Sequence, residues 1–147
     1  MTGTPALSAI EAAIRASWSI ETCDPIDRHE WSAANPARGQ CGTTALVVSD
    51  LLGGSLLEAQ VFRDGVQVEY HYWNRLPSGV DIDLTREQFT RGETFSEPVE
   101  VEPRTPGPVH APGYALLAER VRARLGPAGS EAGRLCVEPG GVTAVTA

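Results

Sequence analysis

Leu7, Ile10, Ile14 and Trp18 recur at three- and four-residue intervals, which predicts an amphipathic helix over about residues 8–18. Ser8 followed by Glu11 reads as a capping box at its start, and the turn-rich residues 22–25 mark its end. Residues 23–38 carry no period and are expected to form a long loop that holds Trp31. Ala45, Leu46, Val48, Leu51 and Leu52 then surround most of a helical cylinder. A second helix is therefore expected in the core, from near Cys41 to a glycine stop at Gly53-Gly54.

The pattern then changes to strands. Residues 56–63 and 66–76 flank Asp64-Gly65, a two-residue hairpin signal. Pro77-Ser78-Gly79 suits a three-residue hairpin with a glycine bulge, and residues 80–84 return as a third strand. Residues 85–88 open a short helix. Residues 91–113 are rich in Pro, Glu and Thr without period and are expected to form an irregular surface loop. Tyr114, Leu117, Val121 and Leu125 mark a closing helix. Residues 1–126 thus form one α+β domain: a helix with the cysteine at its N-terminus packs on a small antiparallel sheet. Residues 127–147 lack an apolar face and are expected to be a disordered tail.

Composition narrows the chemistry. A chain of 147 residues with 41% hydrophobic content can bury one real core, while 15 Gly and 11 Pro point to many loops. All twelve basic residues are Arg, so lysine Schiff-base chemistry and a P-loop lysine are excluded. With a net charge of −7 and no basic stripe, nucleic acid is not an expected partner. No segment has the apolar length to span a bilayer, and the first residues do not read as a secretory signal, so no membrane partner and a cytoplasmic location are expected. Three cysteines at irregular spacings, without Cys-x-x-Cys, suit free thiols rather than a disulfide framework or a zinc site. No metal or cofactor is expected.

The candidate chemistry begins at Cys41, which follows the turn-forming residues 35–39 and opens the second helix. Unpaired N–H groups and the helix dipole there favour a thiolate. If Leu76 pairs with Val80, then Asp81 lies opposite Arg75, Asp83 opposite Trp73 and Thr85 opposite His71. His71, Trp73, Asp81, Asp83 and Thr85 then share a face, with Asp83 the diagonal neighbour of His71 and Asp81 the partner of Arg75. A one-residue slip would turn Asp83 away. On this register Cys41 is the candidate nucleophile, His71 the general base and acid, and Asp83 its orienter. Gln40 and the Cys41 N–H are candidate oxyanion donors.

Trp73, Asn74 and Trp31 are candidates to line the substrate site, Trp73 by shielding the pair from water, although Trp31, like Trp18, reads more readily as a core or loop-anchoring aromatic than as a substrate platform. Plainer alternatives stay open. Cys41 can be a buried structural cysteine, His71 a satisfied core histidine, and Asp83 a cap for the Thr85 segment. A metal site on Cys41, His71 and Asp83 has less support, because none of them forms a short-range ligand pair. Cys23, Cys136, His29 and His110 have no comparable context.

Residues 35–48 (Asn-Pro-Ala-Arg-Gly-Gln-Cys-Gly-Thr-Thr-Ala-Leu-Val-Val), Leu-Gly-Gly at 52–54, His-Tyr-Trp-Asn-Arg-Leu-Pro at 71–77 and Asp-Leu-Thr-Arg-Glu-Gln-Phe at 83–89 resemble the YunG-like family of small bacterial proteins. The likeness extends from about residue 18 to the helix of Tyr114, Leu117 and Val121. It implies a papain-like (cysteine-proteinase-like) or transglutaminase-like core with Cys41, His71 and Asp83 as its triad. The activity expected from it is cysteine-dependent acyl transfer, either hydrolysis of an amide or ester or transfer to an amine, on a small-molecule or peptide substrate. The alternative is a non-catalytic binding or accessory protein that keeps the papain-like fold. The Pro-rich residues 96–113 and the tail look particular to this chain.

Overall fold

The computed structural model describes residues 3–137, with side chains to residue 126. Helix α1, Leu7–Ser17, buries Ile10, Ala13 and Ile14 at helical spacing. Its N-cap is Ala6 and no side chain caps it, so the Ser8–Glu11 capping box is not used. Ser8 already lies inside the helix, two positions past the N-cap. The expected loop after it contains a 3-10 helix, Pro25–Glu30, with Pro25 in its first turn and the Asp24 carboxylate accepting from the Ile26 N–H at 3.1 Å.

Helix α2 runs Cys41–Leu52 and stops at Gly53, whose φ is 79°. It is apolar nearly all round because neighbours cover it on several sides. Val47, Val48 and Leu51 join Ile10, Ile14 and Trp18 of the N-terminal segment and Leu117 and Val121 of the last helix in one buried cluster. Full burial of each large aliphatic side chain contributes about 1.5–3 kcal/mol.

Strands β1 (Ser55–Arg63) and β2 (Val66–Arg75) form the expected hairpin. Asp64 (φ 54°) and Gly65 (φ 79°) are both left-handed, as a turn matching strand twist requires. Strand β3, Asp81–Ile82, is shorter than expected but pairs Asn74 with Ile82 and Arg75 with Asp81, the register expected from Pro77-Ser78-Gly79. Residues 91–113 are not wholly irregular. Strands β4 (Thr94–Phe95) and β5 (Val99–Val101) both pair with the far edge of β1. Segments of two and three residues are too short to show a period. Their pairing satisfies backbone groups that β1 would otherwise expose.

Helix α3, Ala111–Val137, is interrupted at Gly126 (φ 81°, ψ −170°). The backbone is thus helical through residues 127–137, where a patternless tail was expected; residues 138–147 lie outside those described. The architecture is α+β, with an open antiparallel sheet in the order β3-β2-β1-β4 and β5 also on β1. The helices and the residues Leu76, Ile82 and Leu84 pack together in the main cluster, while Leu57, Ala59, Trp73 and Phe95 make a second, smaller cluster. Among the described residues no helix is long and apolar enough to cross a membrane. None of their His, Cys, Asp and Glu side chains are grouped to hold a metal ion.

Gly54 and Gly79 both have positive φ, +87° and +91°, but differ in their surroundings. A Cβ on Gly54 would lie 2.2 Å from the Arg75 carbonyl oxygen, whereas one on Gly79 would meet nothing within 4 Å. Gly79→Ala should cost about 1–2 kcal/mol from the backbone alone, and Gly54→Ala clearly more. Denaturant melts of the two variants check this; equal losses would mean that close approach at Gly54 carries no energy.

Candidate functional site

Alternation along β2 sends His71 and Trp73 to one face and Tyr72 and Asn74 to the other. Asn74 Nδ2 donates to the Ala45 carbonyl at 2.9 Å, which identifies its face as the one toward α2. Across the third-strand turn, Arg75 Nε and Nη2 grip Asp81 at 2.8 and 3.1 Å, as the register requires. Asp83 Oδ2 lies 2.7 Å from His71 Nε2. The same oxygen accepts from Arg86 Nε at 2.8 Å, and Oδ1 accepts from the Thr85 N–H at 3.1 Å. Asp83 is therefore at once the partner of His71 and the cap of the turn at Thr85.

The burial of Asp83 alone would raise its pKa. The hydrogen bond and charge of His71, joined by Arg86, outweigh this and hold the carboxyl below its ordinary value. His71 is 0% exposed. Trp73 stacks on its ring at 5.2 Å, and Phe89 meets it edge-on at 4.9 Å. With a carboxylate at Nε2, that nitrogen is assigned the proton and Nδ1 the lone pair. Nδ1 is buried without a hydrogen-bond partner. An unsatisfied buried acceptor costs about 1–3 kcal/mol, so its presence needs a reason.

Cys41 is the first residue of α2 and is half-buried. It meets β2 at the strand's outer edge, where the backbone N–H of Tyr72, the residue after His71, favours the thiolate. Because Nδ1 has no partner, the thiol and the imidazole are not hydrogen-bonded to each other. Burial pushes the thiol up to about 12, and the Glu69, Asp83 and Asp27 carboxylates add to the effect. This corrects the expectation of a depressed thiol pKa. Desolvation and three nearby carboxylates outweigh the Tyr72 N–H, which favours the thiolate.

The remaining expected residues have other roles. Gln40 is fully buried, its Oε1 accepting from the Thr22 hydroxyl at 2.8 Å and its Nε2 donating to the Ser19 carbonyl at 3.0 Å. Its backbone N–H is bonded to Ala37 O. It braces the 19–22 turn, which removes the grounds for calling it an oxyanion donor. Trp31 Nε1 donates to Pro36 O at 3.1 Å and anchors its loop. Asn74 is spent on α2, and Trp73 shields His71 with Arg86 on its ring at 5.1 Å.

The cleft at Cys41, about 880 Å³, is lined instead by residues that include Arg38, Glu58, Glu69, Tyr70 and Tyr72. Arg38 lies within 2.8 to 3.1 Å of Asp27, Glu30 and Glu69. Asp27 and Glu30 come from the 3-10 helix and Glu69 from β2, and no spacing in the sequence connects the two segments.

Two measurements follow. Because the Asp83 pKa is depressed in the folded state, its contribution to stability is present above the ordinary carboxylate value of 3.8 and is lost as pH falls through the lower folded value. Asp83→Asn should therefore lose about 1.5–3 kcal/mol at pH 7, with the gap to wild type narrowing as pH falls below 3.8 through the lower folded value; a gap that stays constant with pH would contradict this. For the thiol, iodoacetamide labelling of Cys41 in the free protein should be slow at pH 7 and still accelerating above pH 9. A rate that levels off below pH 8 would show that the thiol is activated after all.

Comparison with known proteins completes the description. The family model described as YunG protein matches residues 6–126. A protein of Bacillus subtilis (strain 168), described as "Uncharacterized protein YunG", is 34% identical over 80 residues, covering 54% of this chain and 60% of that relative's length. No solved structure matches. With the family match spanning all three helix starts, the whole sheet and the His71–Asp83 pair, the chain belongs to the YunG family.

Proposed function

We propose that the protein carries out thiol-dependent acyl transfer on an amide or ester, with Cys41 as nucleophile, His71 as base and acid, and Asp83 as orienter. The observation that carries this reading is the state of His71. Its Nε2 is held by Asp83 at 2.7 Å, while the lone pair on Nδ1 is buried, unpartnered and on the residue next to the one whose N–H faces Cys41. A papain-like or transglutaminase-like triad uses the same division of labour. The cysteine–histidine–aspartate order along the chain supports this reading as well.

In the proposed reaction a bound substrate brings its carbonyl to Cys41, and the thiol proton passes to Nδ1 as sulfur attacks the carbonyl carbon. The C–N or C–O bond then breaks while Nδ1–H returns the proton to the leaving atom, which leaves a thioester on Cys41. Water or an amine, losing its proton to Nδ1, attacks the thioester and restores the thiol. Asp83 stays ionised and supports the imidazolium. The Cys41 N–H, at the helix start where no intrahelical acceptor exists, is the proposed oxyanion donor. A thiol at about 12 is protonated at rest, so its proton moves only during attack. Free thiols at Cys23 and Cys41 fit a reducing, cytoplasmic setting.

The raised thiol pKa and the missing thiol–imidazole hydrogen bond also favour a second reading, a non-catalytic binding or accessory protein. Intact-protein mass after exposure to a panel of activated esters and amides separates the two. The first reading expects an acyl adduct on Cys41 of wild type and none on Cys41→Ala, with Asp83→Asn slower by about 10²–10⁴ and Cys41→Ser nearly inactive. An adduct on Cys23 or Cys136, or full activity in Cys41→Ala, would overturn it. Equal ligand binding by wild type and Cys41→Ala, without chemistry in either, would establish the second.

A further inference from the structure

The outer edge of β2 offers a second recognition element beside the thiol. Leu76 N–H donates to Val80 O at 2.8 Å, on the side where β3 pairs. Backbone groups of alternate residues point the same way, so those of Asn74, Tyr72 and Tyr70 also face that side. β3 pairs only with Asn74 and Arg75, which leaves the edge at Tyr72 and Tyr70 without a strand.

The opposite strand supports the same orientation independently. Gln60, paired with Tyr70 across the hairpin, gives its N–H to Ser96 Oγ at 2.9 Å and takes the Ser96 N–H on its carbonyl at 3.0 Å. Both Gln60 groups turn away from β2, so the Tyr70 N–H and C=O are not used across the hairpin either. The Tyr72 N–H faces Cys41. Among the described residues no turn, loop or side-chain hydrogen bond uses the backbone of Tyr70 either, and that residue is 47% exposed.

We propose that the β2 edge at Tyr70 receives an extended, positively charged peptide segment, which pairs as an added strand and brings a carbonyl to Cys41. The spacing fits. Tyr70 and Tyr72 are two strand residues apart, about 7 Å, so the residue paired with Tyr70 lies about two positions from the carbonyl at the sulfur. Tyr70, Tyr72 and Cys41 all line the one cleft. The irregularity opposite Val61 and Phe62 interrupts the regular edge beyond Glu69, which confines the pairing to the stretch beside the thiol.

The sign of the charge comes from the cleft wall. It carries six carboxylates against three guanidiniums, and one of the three, Arg38, is already held by Asp27, Glu30 and Glu69. Ile26 and Val68, exposed and lining the same cleft, offer apolar contacts between the charges. Strand addition supplies affinity through main-chain hydrogen bonds, and the wall selects the side chains. That the segment is a substrate rests on the thiol-enzyme reading; the strand pairing does not.

The test uses the full chain as Cys41→Ala and three capped six-residue peptides. The first alternates valine and arginine, the second replaces arginine by glutamate, and the third is the arginine peptide with alternate amides N-methylated. Calorimetry should show binding of the first, with the other two weaker by about tenfold or more. The Tyr70 amide should exchange more slowly when the arginine peptide is bound. Tyr70→Pro removes an N–H that the fold does not use and the ring with it. Its control is Tyr70→Ala, which loses the ring but keeps the N–H and should bind within about threefold of wild type. Tyr70→Pro should keep its melting temperature within a few degrees and lose about tenfold in binding, while Tyr70→Phe binds as before.

Equal binding of the methylated or glutamate peptide, no binding of any peptide, or an unprotected Tyr70 amide would overturn the proposal. So would concentration-dependent protection of Tyr70 in the free protein, which would assign the edge to a second copy of the chain. Peptide binding at Tyr70 without any Cys41 adduct in wild type would remove the enzyme reading alone. A Cys41 adduct without edge binding would remove this one alone.

Discussion

The buried hydrogen bond from Asn74 Nδ2 to Ala45 O, 2.9 Å long, ties the Cys41 helix to the strand that carries His71. Four helical residues advance about 6 Å and two strand residues about 7 Å. With Ala45 held at Asn74, and helix and strand running the same way, Cys41 arrives level with Tyr72. Everything at the site depends on that alignment. It brings the thiol to the one part of the β2 edge that β3 leaves bare, next to the backbone of His71. A buried amide that lost its acceptor would leave both groups unsatisfied, so the alignment is held by more than apolar packing, which would tolerate sliding.

Around this join the electrostatics are divided. On one face Asp83 is kept ionised by His71 and Arg86, and the imidazole is enclosed by Trp73, Phe89 and Phe95. At the edge the thiol is kept protonated by burial and by carboxylates that include Asp83 itself. The carboxylate hydrogen-bonded to His71 therefore also opposes a resting thiolate. Under the proposed acyl transfer, charge separates only as a substrate carbonyl begins to accept the sulfur's electrons. Arg38, gathering Asp27, Glu30 and Glu69, holds the 3-10 helix and the β2 edge as walls of the same cleft. Burial raises the pKa of both Asp27 and Glu69, so this wall is electrostatically tense even with Arg38 in place.

Local signals determined much of this protein. The periodicity of Ile10 and Ile14, the all-round apolar surface of α2 with its glycine stop, and the Asp64-Gly65 turn each depend on contacts a few residues apart. The third-strand register was legible for the same reason. A three-residue turn fixes which residues face each other, and that alone placed Asp83 beside His71 and Asp81 beside Arg75. Tertiary structure decided what local pattern could not. β4 and β5 form because β1 has an edge to satisfy. Gln40, Trp31 and Asn74 were chemically suited to a site, but burial against the 19–22 turn, Pro36 and Ala45 gave them structural partners. The thiol pKa was open to misreading for a related reason: a helix start is visible in sequence, whereas desolvation and the approach of Glu69, Asp83 and Asp27 are sums over atoms from four separate segments, and such sums exist only once the chain is folded.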